Sequence, residues 1–250
     1  MSGTLADDSG FGFAPGDGIV VTGGGSGIGR ATAWIAAAQG LAVSIWDIDE
    51  ASAVAAAAAI SDAGGVASAS RVDVTDEAAV TAAFAVGGPV RARYLVNNAG
   101  PASSSPISYA EGLVATAGSM QLVAARWLGL ELEPGASIVN VASVAGTQLG
   151  AAPDWYASGK GAIAAYTRYL AVQHAARIRA NAVAPGLTDT PRMAGFIDSD
   201  IGQRIQSRVP LGRMGRPEDV AWTILFLLSP RAAYVSGVVV AVDGAWTLAQ

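Results

Sequence analysis

The chain contains no cysteine. That excludes a disulfide framework, a thiol nucleophile and a thiolate metal site. It has one histidine, His174, so a histidine-rich metal cluster is excluded too and no metal is expected. Charged residues are scarce, 14% of 250, with a formal net charge of −5. No basic run is available to neutralise phosphates, which argues against nucleic acid as a partner. No apolar run reaches the ~20 residues of a membrane span. Residues 1–17 lack the basic-then-apolar order of a signal peptide and read as a flexible lead-in. These absences lead us to expect a soluble, cytoplasmic protein whose partner is a small molecule.

What the chain has is apolar content, 52%, enough for a sizeable core, and 31 glycines. Residues 18–22 read as a short buried strand. Gly23-Gly24-Gly25-Ser26-Gly27-Ile28-Gly29 follows, then an alanine-rich helix over about 30–39. Strand, glycine loop and helix is the context in which a glycine cluster binds phosphate, because the backbone comes close and the helix start offers free N–H groups. Residues 41–46 form a second, nearly all-apolar strand, as expected for a strand covered on both faces. Asp47 and Ile48 close it, where a carboxylate can accept hydrogen bonds from an adenosine ribose.

The alternation continues. Residues 50–63 read as a helix, 66–72 as a strand ending near Asp73 and Val74, and 76–85 as a short helix. Residues 94–96 form a strand closing on Asn97-Asn98-Ala99-Gly100, whose paired amides can tie the sheet together. A long helix is expected over 109–130, a strand over 137–142, a helix from Tyr156 to about 177, and a strand over 179–183. Pro185, Gly186, Thr188 and Thr190 come next. Residues 191–215 lose the pattern and read as a mobile lid. A helix to 228 and a strand over 238–242 complete the chain. This order predicts one α/β domain over 18–250, a doubly wound parallel sheet of the Rossmann kind with helices on both faces. Ligands then bind beyond the C-terminal strand ends.

Tyr156 and Lys160 are one helical turn apart, so both side chains share a face. An ammonium near a phenol favours the phenolate and lowers its pKa from ~10. Such a phenol can give a proton to a ketone oxygen or take one from an alcohol. Ser143, at the end of the 137–142 strand, can hydrogen-bond the same oxygen.

Together these residues resemble the short-chain dehydrogenase/reductase family. The match covers nearly the whole chain, from about Gly18 to Trp246. It rests on Thr22-Gly23-x3-Gly27-Ile28-Gly29, Asn97-Asn98-Ala99-Gly100, Ser143, Tyr156-x3-Lys160 and Pro185-Gly186. The resemblance implies hydride transfer between a nicotinamide and a carbonyl or alcohol. It implies Tyr156 as general acid/base, Lys160 tuning it and holding the nicotinamide ribose, and Ser143 orienting the substrate oxygen. It places Thr190 at the carboxamide, Asp73 and Val74 at the adenine, Asn97 on the adenosine side, and 185–188 along the nicotinamide. Members are commonly homotetramers, with the helix from Glu218 and the last strand at one interface. An Asn usual in the long helix is replaced by Thr116, which puts the family's proton relay in question.

Asp47 and the lack of a basic residue in the glycine loop favour NAD over NADP. Gln148, Leu149, Met193, Phe196 and Ile197 suggest a mostly apolar substrate pocket. The expected activity is NAD-dependent oxidation or reduction of a secondary alcohol or ketone. A 3-oxoacyl-carrier-protein reductase and a non-catalytic NAD-binding protein are the alternatives. An enoyl reductase is disfavoured by the one-turn Tyr–Lys spacing.

Overall fold

The computed structural model describes residues 10–85, 92–150, 153–196 and 198–249. Within them lies one sheet of seven parallel strands: β1 (Gly18–Thr22), β2 (Ala42–Asp47), β3 (Val66–Arg71), β4 (Ala92–Asn97), β5 (Ala136–Val141), β6 (Ile178–Pro185) and β7 (Val239–Val242). Their spatial order is β3-β2-β1-β4-β5-β6-β7. The chain leaves β1 toward β2 and returns on its other side as β4. That reversal opens a crevice beyond the C-terminal strand ends.

Alternation along the strands builds two cores. Ile19, Val21, Val43, Ile45, Val96 and Val139 face one way and meet α1 (Gly27–Ala38), α2 (Glu50–Asp62) and α9 (Pro217–Leu228). Val20, Trp46, Leu95 and Ile138 face the other way and meet Val80 of α3 (Glu77–Ala85), Trp127 of α5 (Ser119–Leu128) and Leu170 of α7 (Asp154–Gln173). Residues 10–17, expected to belong to the lead-in, lie on the first core. Phe13 packs edge-on against Tyr94 at 5.2 Å, Phe11 meets Trp222 at 5.9 Å, and Asp17 pairs with Arg93 at 2.8 Å.

Three expected elements differ. The helix over 109–130 is interrupted: α4 (Tyr109–Leu113) passes into a π-helical turn, Val114–Gly118, before α5. Hydroxyls explain the widening. Thr116 Oγ1 donates to the Gly112 carbonyl at 2.7 Å, and Ser119 Oγ donates to the carbonyls of Ala115 and Thr116, both at 3.0 Å. Such back-bonding competes with the regular ladder. The helix expected over 156–177 begins earlier, at Asp154, and stops at Gln173. Residues 191–215 are not wholly irregular. They hold a 3-10 turn, Pro191–Met193, and α8 (Asp200–Gln206), whose start is capped by Ser199 Oγ accepting from Gly202 N–H at 3.1 Å. A seven-residue helix among small and polar residues gives too short a periodicity to read. The remaining short turn, α6 (Val144–Thr147), follows Ser143.

Candidate active site

The first part of the site is the turn between β1 and α1. Gly29 lies so close to the Gly23 carbonyl that a Cβ there would stand 2.1 Å from the oxygen. Only glycine permits that approach. Ser26, at the start of α1, makes no side-chain cap bond, so the first amides of the helix are left to a ligand. Asp47 fixes the loop from β2: its Oδ2 accepts from Gly25 N–H at 2.9 Å and its Oδ1 from Asp49 N–H at 3.1 Å. Each oxygen keeps a lone pair for a further donor. Arg71 stands opposite Asp47 in the β2–β3 register. It has no hydrogen-bond or ion-pair partner among the described residues.

The strand end at Asn97–Gly100 braces this loop. Asn98 Nδ2 donates to the carbonyls of Thr22 and Gly23, at 3.1 and 3.0 Å. Thr22 Oγ1 accepts from the backbone N–H of Asn98 and Ala99, at 3.0 and 3.1 Å. Asn97 turns its side chain into the sheet. Its side chain is 2% exposed and bonds the Met120 carbonyl and Asn140 Oδ1. The amide serves the sheet, which leaves only its backbone for a ligand. Asp73 accepts from Thr75 N–H and Oγ1 through one oxygen, Oδ1, beside half-buried Val74.

The second part gathers at the ends of β5 and β6. Ser143 follows β5, and its Oγ accepts from Ala145 N–H at 3.1 Å. Tyr156 and Lys160 come from α7. Trp155 is buried and packs edge-on against the Tyr156 ring at 5.6 Å, holding the first turn of the helix. Lys160 Nζ donates to the Val141 carbonyl at 2.8 Å and lies 5.7 Å from the Tyr156 ring centre. Burial pushes the Tyr156 phenol above its ordinary value, while the Ser143 hydroxyl and then the Arg192 charge pull it back down. Burial, and then Arg192, bring Lys160 down to about 8. The expectation that Lys160 depresses the phenol is therefore not met in the free protein. Desolvation disfavours the phenolate more than the nearby charges favour it.

Thr116 is 2% exposed and lies against Gly159, the residue before Lys160; a Cβ on Gly159 would stand 2.1 Å from Thr116 Oγ1. The irregular backbone at Thr116 thus touches the helix that carries Tyr156 and Lys160. Beyond β6, Thr188 Oγ1 donates to the Gly186 carbonyl at 3.2 Å. Thr190 reaches back over the glycine loop, its Cγ2 3.2 Å from where a Gly27 Cβ would be. The two parts therefore meet. Leu149, Met193 and Phe196 are half-buried and Gln148 is exposed; Ile197 lies outside the described residues. Arg192 was not singled out from the sequence. One basic residue in a stretch without periodicity carries no signal until the fold brings its charge to Tyr156 and Lys160. The His174 imidazole packs edge-on against Tyr169, and Arg177 donates to the carbonyls of Leu128 and Leu130.

Residues 23–247 match the family model described as enoyl-(acyl carrier protein) reductase. The chain is 40% identical over 245 residues to cis-4-hydroxycyclohexanecarboxylate dehydrogenase of Sinomonas cyclohexanicum, covering 91% of this chain and 95% of that protein. It is 37% identical over 244 residues to 2-(S)-hydroxypropyl-CoM dehydrogenase 3 of Xanthobacter autotrophicus, covering 92% and 96%. A solved structure from Beutenbergia cavernae, with NADP bound at low occupancy, superposes with a TM-score of 0.86 at 34% identity, covering 95% and 99%. On this match of sequence along almost its full length and of fold, the chain belongs to the short-chain dehydrogenase/reductase family of oxidoreductases, which bind a nicotinamide cofactor.

Proposed function

We propose that the protein is an NAD-dependent dehydrogenase of secondary alcohols, and a reductase of the matching ketones, acting in the cytoplasm. The observation that carries this reading is the convergence of Ser143, Tyr156 and Lys160 beside the glycine loop. The names of the two relatives both contain a hydroxyl on carbon, which supports oxidation of CH–OH. Lys160 lies one turn from Tyr156, in keeping with this class rather than with the enoyl reductases for which the family model is named.

The residues fit a nicotinamide dinucleotide. The start of α1 takes the diphosphate, Asp47 the adenosine ribose, Asp73 and Val74 the adenine edge, and residues 185–190 the nicotinamide end. When bound, the cofactor supplies a hydride acceptor or donor. The chain supplies the proton transfer: Tyr156 carries the proton at its hydroxyl, Ser143 orients the substrate oxygen, and Lys160 holds its charge 5.7 Å from the ring centre. The apolar side chains of Leu149, Met193 and Phe196 exclude water from the substrate. Residues 191–215 act as the lid. Amide exchange there is expected to exceed that of β5 in the free protein and to slow when ligand binds; protection equal to β5 without ligand contradicts the lid.

A homotetramer built partly through α9 and β7 completes the proposal. Trp222, Phe226 and Val238 are 46%, 41% and 38% exposed on that side. Light scattering of the purified protein checks the mass. A panel of secondary alcohols with NAD and NADP, followed at the nicotinamide absorbance, tests the activity. NAD reduction by at least one alcohol, lost in Tyr156→Phe, is the expected result. Cofactor binding without turnover on any alcohol or ketone favours a non-catalytic role.

A further inference from the structure

Trp155 is the residue before Tyr156, in the first turn of α7. The helix itself holds that turn weakly. Pro153 stands at its N-cap and makes no side-chain cap bond. The Pro153 carbonyl accepts from Tyr156 and Ala157 N–H at 3.1 and 3.2 Å, and Trp155 N–H donates to Asp154 Oδ1 at 2.7 Å. Helix ends fray unless something outside the helix fixes them. Yet this turn carries the hydroxyl that meets the substrate, where a small misplacement is costly.

The anchor comes from α4. Trp155 is 3% exposed, and its indole lies on the backbone of Gly112. A Cβ at Gly112 would stand 2.6 Å from Cγ and Cδ2 of the indole and 2.7 Å from Trp155 Cβ. Any larger residue there has to push the start of α7 away. Glycine weakens a helix interior, so its presence in α4 has a cost that this close approach explains. One turn on, the sizes reverse: Thr116 meets Gly159, where a Cβ would stand 2.1 Å from Thr116 Oγ1. Gly112 and Thr116 are four residues apart, and so are Trp155 and Gly159, so large meets small at two successive turns. A slip of one turn would set Trp155 on Thr116, with no glycine to receive it. Thr116 Oγ1 donates to the Gly112 carbonyl at 2.7 Å and ties the two seats together. The indole also touches the phenol. It meets the Tyr156 ring at 5.6 Å with the planes 83° apart, covering one side of a partly buried group whose proton is held by desolvation.

We propose that Trp155 is a positioning residue for the acid–base group: seated on Gly112, its indole sets where the Tyr156 hydroxyl stands and keeps water from one side of the ring. The inference rests on the reading of Tyr156 as the reacting centre, and it assigns that centre a support outside its own helix.

The test reads the phenol both with and without turnover. The full-length protein is labelled with an NMR-active carbon at tyrosine Cζ, and the Tyr156 resonance is identified by its absence from Tyr156→Phe. Its titration needs no substrate. Turnover with NAD is followed across the panel of secondary alcohols, cyclohexanol among them. Trp155→Leu is expected to lower kcat about 10- to 100-fold, the cost of misplacing a reacting group, with KM and NADH affinity little changed. The Tyr156 titration moves down toward the ordinary ~10 as water reaches the ring. Lys160 beside the ring and Arg192, whose charge acts on the phenol, are unaltered in this variant. Trp155→Phe keeps a ring on Gly112 and retains more of kcat than Trp155→Leu. Gly112→Ala keeps the tryptophan, unseats it and reproduces the loss of kcat; it carries the test if Trp155→Leu does not fold. Trp127→Phe trims a buried tryptophan of the second core and lowers the melting temperature without moving kcat or the titration. Trp155→Leu with kcat and titration unchanged overturns the proposal. So does an equal loss of kcat in Trp127→Phe, which makes the effect one of general stability. So does a rise in KM alone, which makes Trp155 a wall of the substrate pocket. If the unaltered protein turns over no alcohol while Trp155→Leu and Gly112→Ala still move the Tyr156 titration, the positioning stands and the dehydrogenase reading falls.

Discussion

The two ends of the crevice are built differently. Around β1 and β2 the polar groups hold one another. Asp47 accepts two backbone amides, Asn98 donates to two carbonyls, and the Thr22 hydroxyl accepts from two amides while donating to the Val96 carbonyl at 3.3 Å. Beyond β6, residues 190–196 show few such ties, and their functional candidates are an unpartnered Arg192 and half-buried Met193 and Phe196. The difference follows the ligands. The adenosine and diphosphate of a dinucleotide are untouched by hydride transfer and the same at every turnover, so a fixed cradle lowers the cost of ordering them. A substrate arrives and leaves as two different molecules, and side chains without internal partners are left free to adjust to each.

The reacting group between these ends is the place to break the comparison most severely. Tyr156→Phe keeps the ring against Trp155 and removes the proton. Turnover is expected to fall by at least ~10²-fold, while NADH affinity, set by the fixed end, stays near its original value. Stopped-flow turnover and a fluorescence titration report the two quantities separately. A variant retaining most of its turnover moves the acid–base role elsewhere.

A smaller effect is expected from loosening the fixed end. With Asp47 present, NAD should be preferred over NADP by at least ~10-fold in kcat/KM, about 1.4 kcal/mol. Asp47→Ala removes the repulsion of a 2′-phosphate and leaves Arg71 facing the same place in the register. The preference should narrow, and further replacement of Arg71 by Ala should restore part of it. Equal or better kcat/KM with NADP in the unaltered enzyme sinks this reading of Asp47.

Lys160 sharpens the comparison through stability. Its folded pKa of about 8 is below the ordinary 10.5, so between those values the unfolded chain binds more protons than the folded one. Stability from this group then rises with pH across that window and is lowest below about 8. Above the ordinary 10.0 of Tyr156, the raised phenol acts in the opposite direction. Lys160→Met should therefore raise the melting temperature of the free protein at pH 7, with the advantage shrinking as pH climbs from about 8 toward 10. Thermal melts across that range test the sign; a melting temperature for Lys160→Met below the original at pH 7 contradicts it.

The smallest effect is expected at Thr116. The backbone around Thr116 is already irregular, in the π-helical turn Val114–Gly118, without an Asn at that position. Thr116→Asn should change turnover by less than ~10-fold, ~1.4 kcal/mol of barrier. It should lower stability, because Gly159 leaves no room for a larger side chain. A gain in turnover beyond ~10-fold, greatest in alcohol oxidation, shows instead that the relay is broken by threonine.

Much of this arrangement was legible beforehand because it is written in spacing. Tyr156 and Lys160 announce themselves by a four-residue interval, the glycine loop by its place between strand and helix, and the parallel sheet by strands alternating with helices. The identity of Asn97 does not say which way its amide turns; the strand pleat sends it inward to Asn140. Arg71 and Arg192 were missed for a related reason. Each gains its meaning from a neighbour far away in the chain, by sheet register in one case and by a returning loop in the other. The tuning of Tyr156 also depended on burial, which four residues of sequence do not reveal.

The segment that carries Arg192 and α8 leaves and rejoins the domain at nearly the same point. Asp189 N–H donates to the Gly215 carbonyl at 2.8 Å, and Gly215 N–H donates to the Leu187 carbonyl at 2.9 Å. Because the scaffold already joins its two ends, changing the segment's length costs little in closure entropy, about 0.6 kcal/mol for each doubling. Residues 190–214 can thus be exchanged as a cassette. Selection, or an engineer, can replace the whole substrate-facing piece between those clasps and leave the seven strands and their cofactor cradle untouched.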